Sequence, residues 1–150
     1  MLATEFTIGD EGMKAASILA AAAVLAAASV SATPAPEGAR VYFITPADGE
    51  VLGPEFTVRF GLEGMGVAPA GVEMANTGHH HLLINADPMP DLAAPLPASD
   101  QVRHFGGGQT ETRLSLPPGD YRLQLVLGDH LHAPHQPPVM SEPIHIRVEE

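Results

Sequence analysis

Residues 117–127, PPGDYRLQLVL, decide the fold. Pro117-Pro118-Gly119-Asp120 is a turn, because proline pre-sets φ while glycine and aspartate suit a tight reversal. Beyond it Tyr121, Leu123, Leu125 and Leu127 alternate with Arg122 and Gln124. A period of two sends the apolar set to one face and the polar set to the other. That is the pattern of a strand with a buried face, not of a helix.

The same alternation recurs on both sides. Phe56, Val58 and Phe60 flank Thr57 and Arg59, and Leu114 and Leu116 share a face within Thr110–Leu116. Ile144, Ile146 and Val148 alternate with His145 and Arg147. Arg40–Thr45 (RVYFIT) stops at Pro46, and His80–Ile84 is apolar with a β-branched end. Outside the N-terminal region no segment carries a useful 3.6-residue period. Six or seven short strands between Pro/Gly turns predict an all-β domain: an immunoglobulin-like antiparallel β-sandwich of about seven strands, with a closed barrel as the alternative. Its expected core is Phe56, Val58, Phe60, Leu114, Leu116, Leu123, Leu125, Leu127, Ile144 and Ile146. Gly64–Gly71 and the proline-rich stretch Pro88–Asp100 are expected loops.

The chain has 150 residues, no cysteine, no tryptophan and a formal charge of −11. That length fits one domain. Without cysteine there is no disulfide scaffold, thiol nucleophile, zinc finger or cysteine-held iron–sulfur cluster. The acidic balance argues against a nucleic-acid partner, since phosphate binding needs clustered Lys and Arg, and no lysine follows Lys14.

Residues 13–32 (MKAASILAAAAVLAAASVSA) have the form of a signal peptide: Lys14, an apolar run from Ala15 to Ala28, and small residues at Val30-Ser31-Ala32 for cleavage after Ala32. The run is short and alanine-rich for a bilayer span. Residues 1–12 carry Glu5, Asp10 and Glu11 where a signal wants positive charge, so they are expected to be a mis-assigned upstream start. The expected order is then 1–12 upstream start, 13–32 signal, 33–39 linker and 40–150 β-sandwich domain. A periplasmic or secreted location follows, with no membrane contact after cleavage.

Seven of the eight histidines lie between His79 and His135, in three blocks: NTGHHHLLIN, HFGGGQTE and GDHLHAPH. On a strand, His79 and His81 share one face and His80 takes the other. Three adjacent histidines therefore cannot all ligate one ion, and at least one is structural. His130 and His132 share a face if their segment stays extended, and Pro134 can turn His135 back towards them. Neutral imidazole suits zinc and copper(II), and a neighbouring carboxylate such as Asp129 can orient a ligand or bind. The candidate metal ligands are His79, His81, His104, His130, His132 and His135. His145, between two inward isoleucines, is expected on a solvated face. Gly106–Gly108 precede no helix and no lysine follows, so a turn passing close to the histidines is expected there rather than a phosphate cradle. Met65, Met74, Met89 and Met140 are expected to fill gaps rather than ligate copper(I).

These blocks, with VYFITPADGEVLGPEFTVRF and LPPGDYRLQLVLGDHLHAPHQPPVM, resemble the bacterial domain-of-unknown-function family 4399 over about residues 40–148. The resemblance implies an exported, single-domain bacterial protein of Gram-negative origin, with the three histidine segments as the family's signature blocks. It implies no catalytic residue. The leading expectation is a periplasmic domain that binds copper or zinc for sequestration, delivery or sensing, with the metal ion as its partner. The alternative is a structural or interaction module whose histidines hydrogen-bond with Asn76, Thr77, Gln109, Thr110 and Glu111. A metal-dependent enzyme using Glu111 or Asp129 as base stands third. The three blocks are expected to converge, with imidazole nitrogens of different blocks about 4–5 Å apart or closer.

Overall fold

The computed structural model describes residues 32–150, so the expected upstream start over 1–12 and the expected signal up to residue 31 lie outside the described residues. Nine strands and no helix occur among the described residues: β1 Arg40–Thr45, β2 Val51–Leu52, β3 Glu55–Glu63, β4 Gly66–Val67, β5 Thr77–Ile84, β6 Val102–His104, β7 Glu111–Ser115, β8 Gly119–Gly128 and β9 Ile144–Val148. They form two sheets. One has three strands in the order β1-β3-β7; the other has six, ordered β2-β9-β8-β5-β4, with β6 also paired to β5. The expected strands are all present. The three further strands are two or three residues long, too short to show a period. The pairing is antiparallel except for β2 on β9 and β4 on β5, which are parallel.

The inner faces of the two sheets bury one core. Val41, Phe56, Val58, Phe60 and Leu114 come from the smaller sheet, and Leu82, Ile84, Leu123, Leu125, Leu127, Ile144, Ile146 and Val148 from the larger. All ten expected core residues are in it. Tyr121, at the start of β8, packs against the core and donates its hydroxyl to the carbonyl of Pro117 at 2.7 Å. This is the corner expected of a sandwich strand that follows a tight turn.

The outward face of the larger sheet is not solvated near β5. Every residue from Gly78 to Ile84 is buried, on both faces. Leu83 and Val126 point outward and meet Val102 and Leu96, with Met140 and Ala86 around them. The proline-rich connector thus covers the sheet, and Leu96 is its anchor. The N-terminal segment also docks: Ala35 N–H donates to Gln136 O, and Gln136 N–H donates to Thr33 O. This covered outward face, at the end where β5 begins and β8 finishes, holds the histidines.

Candidate metal centre

Strand register places three of the four rings. On β5, His79 lies opposite Gly128 and His81 opposite Val126 of β8, while β6 sets His104 opposite His81. Directly paired residues share a face, so His79, His81 and His104 project together from the outward side. His80 lies opposite Leu127 and projects into the core, where its ring stacks 5.0 Å from Phe60. The division of the histidine triplet by parity is as expected.

The fourth ring comes from the loop after β8. The chain does not stay extended there: Asp129 closes a turn. Its Oδ1 accepts from the N–H groups of Leu131 (2.8 Å) and Ala133 (3.0 Å), and its Oδ2 accepts from Thr33 Oγ1 at 2.6 Å. His132 is held at φ +67°, its N–H donating to Asp129 O and its carbonyl accepting from Leu96 N–H. That left-handed backbone is unfavourable for a histidine and persists only because both sides are fastened. It aims the ring back onto the sheet. The turn also separates His132 from His130, so the two do not share a face.

One nitrogen each of His79, His81, His104 and His132 lies within 4.8 Å of the other three. His79 Nε2 is 3.1 Å from both His132 Nδ1 and His104 Nε2. The blocks therefore converge within the expected distance. His130 and His135 are not among the four. His135 is buried with Nε2 at 3.2 Å from the carbonyl of Thr77, and His130 lines a separate cleft with Met74 and Glu73. His145 is exposed on β9, as expected.

The glycines explain how the rings fit. A Cβ on Gly128 would stand 2.5 Å from Cε1 of His81, and one on Gly106 would stand 2.7 Å from Nε2 of His104. Neither position tolerates a side chain beside the rings as they stand. The Gly106–Gly108 run is the expected turn that passes close to the histidines.

Burial governs the protonation of the centre. Burial, and then the charges of His104 and His132, lower the pKa of His79 to about 4, partly offset by Asp129. Burial, with His79, His104 and His132, lowers that of His81 to about 3. Burial and His132 also lower that of His104. His79, His81 and His104 are therefore neutral at pH 7, each with a free lone pair. For Asp129, burial favours the neutral acid but is outweighed by the hydrogen bonds from Thr33, Leu131 and Ala133, so its pKa is lowered.

Hydrogen bonding leaves the cluster incomplete. A ring nitrogen carries one hydrogen or one lone pair, so His79 Nε2 can make one good bond with its two neighbours, not two. Both nitrogens of His81 and Nδ1 of His79 are buried with no hydrogen-bond partner among the described residues. Of the expected polar partners, the Thr77 carbonyl meets His135, but the side chains of Thr77, Gln109 and Glu111 bond elsewhere, which corrects the detail of the hydrogen-bonded alternative. Glu111 pairs with Arg59 on the opposite sheet, Gln109 accepts from Gly107 N–H, and the Thr77 hydroxyl donates to Met74 O. The histidines contact one another instead, because β5 and β6 bring them side by side.

A cleft of about 590 Å³ lies away from this centre along β8 and β9. It is an open groove lined by Val51, Tyr121, Arg122 and the Arg147–Asp120 ion pair, with His145 at its wall.

The model of a domain of unknown function, DUF4399, matches residues 58–149. The chain belongs to the DUF4399 family. The DUF4399 match contains all four converging histidines, both glycines beside them and the Asp129 turn. No curated protein matches the chain. Among solved structures, an endo-beta-1,4-mannanase from Thermotoga petrophila is similar over 75% of this chain and 20% of its own, with 18% identity and a TM-score of 0.45. The chain thus spans about a fifth of that protein, and a likeness this distant has no bearing on function.

Proposed function

We propose that this protein is an exported, periplasmic domain that binds a transition metal ion, copper(II) or zinc, through His79, His81, His104 and His132, for sequestration, delivery or sensing. The observation that carries this reading is the convergence of four imidazole nitrogens from three distant segments. Nitrogens bound to one tetrahedral ion at about 2.0–2.1 Å lie about 3.3 Å apart, close to the two 3.1 Å separations at His79. Imidazole-only donor sets suit zinc and copper(II) rather than magnesium or calcium. The left-handed His132 backbone, fastened on both sides so that its ring meets the other three, points the same way.

The 3.1 Å contacts also favour a second reading, a metal-free hydrogen-bonded cluster that ties the loops to the sheet. Thermal melts separate the two. For the metal-binding reading, copper(II) or zinc at a hundredfold excess over Kd stabilises the parent by about 2.7 kcal/mol, with one ion bound per chain. The His79→Gln/His132→Gln double variant keeps hydrogen-bonding capacity and shows no such shift. A parent whose melting temperature ignores both metals, and which carries none after untagged purification from the periplasm, refutes the metal-binding reading.

A further inference from the structure

We infer that the four-histidine centre keeps a coordination position open to solvent and takes a small monovalent anion there, at its mouth beside His104 and Gly106. The inference rests on the metal-binding reading and extends it to the ligand that the bound ion would accept. Four observations carry it. The donor set is four histidines, none of them a carboxylate, so the charge of a divalent ion is left uncompensated by its ligands. The carboxylate at hand, Asp129, is fastened by three hydrogen bonds using both oxygens, and swinging it into the centre would undo the turn that presents His132. The rings are unequally covered: His79 and His81 are buried against the sheet, His132 is half-buried and His104 is exposed. The ion would therefore be sealed on the sheet side and open on the side of His104. Finally, the chain passes that opening as Gly106-Gly107-Gly108, and Gly106 comes so near His104 Nε2 that even a methyl group would collide with the ring. The glycine run adds no side chain of its own at the mouth, where Ala70 stands beside Gly106 and the Gln109 side chain lies over Gly107.

The size of the ligand follows from charge and space. The excess of 15 acidic over 6 basic side chains in residues 33–150 repels large polyanions from the chain's surface, whereas a small monoanion reaching the ion gains an attraction that a partly water-excluded site strengthens. Hydroxide, halides and azide belong to this class.

Azide is the probe, added at neutral pH to the full exported chain loaded with one equivalent of copper(II). The expected result is a saturable azide-to-copper charge-transfer band and a shifted electron paramagnetic resonance spectrum, with the imidazole nitrogen couplings retained. Benzoate, a bulky monoanion, should not compete. A copper spectrum that saturating azide leaves unchanged overturns the inference and leaves the metal-binding reading standing. So does the loss of an imidazole coupling on azide addition, because the anion would then have replaced a histidine rather than filled an open position. Failure of the chain to take up copper(II) overturns the inference, and failure to take up zinc as well overturns the metal-binding reading.

Discussion

His81→Leu should make the metal-free protein more stable and the metal-loaded protein less so. His81 is 1% exposed, and neither ring nitrogen has a hydrogen-bond partner among the described residues. A neutral imidazole holds one donor and one acceptor, and each buried group left unmade costs about 1–3 kcal/mol. Leucine has similar bulk, suits a strand, and extends the outward apolar cluster of Leu83 and Val126. Against the gain stands imperfect shape, because the ring packs closely on Gly128. The net expectation is a stabilisation of about 1–2 kcal/mol, or roughly 5 °C for a domain of this size. In excess metal the order inverts. The parent gains about 2.7 kcal/mol at a hundredfold excess over Kd, while the variant, with three imidazoles, gains little. Melts with chelator and with zinc or copper(II) give both halves. Loss of stability in chelator would show that His81 is a structural ring whose contacts hold the sheet. A metal shift as large as the parent's would show that His81 is not a ligand. Either result refutes the reasoning.

Asp129→Ala removes the carboxylate whose Oδ1 closes the His132 turn and whose Oδ2 holds Thr33. It should weaken metal binding about 10–100-fold in a calorimetric titration, with the sandwich still folded. Leu125→Ala, at a fully buried position, should cost about 2–5 kcal/mol in a urea titration, with unchanged metal affinity in the surviving folded fraction. Acid should destabilise the metal-free protein early. The pKa values of His79 and His80 are lowered to about 4 and that of His81 to about 3, so between those values and about 6.5 the unfolded chain binds more protons than the folded one. Stability present above pH 6.5 is then lost progressively down to about pH 3, which urea midpoints across that range will show; a flat profile would mean that the rings are not buried as neutral groups.

Alternation made the core readable, because each long strand presents one face to it and one to water. Parity alone also split the histidine triplet, with His79 and His81 on one side and His80 on the other. Three features escaped that logic. β6 is three residues long, and its pairing with β5 is a long-range event that sets His104 beside His81. The choice of His132 over His130 depends on an Asp129 turn fastened partly by Thr33, nearly a hundred residues away in sequence. The cover over the outward face comes from Leu96, one apolar residue in a proline-rich loop. Yet the segment HHHLLI held the clue to that cover. A strand buried on both faces reads as an unbroken apolar run rather than an alternation, and Leu82-Leu83-Ile84 is such a run. Its continuation into three histidines is where local preference and burial disagree. Chains keep such conflicts mainly where a site needs them. The conflict therefore falls where the four imidazoles meet, on a face that sandwiches commonly leave to solvent and that this chain encloses on one side and leaves open on the other.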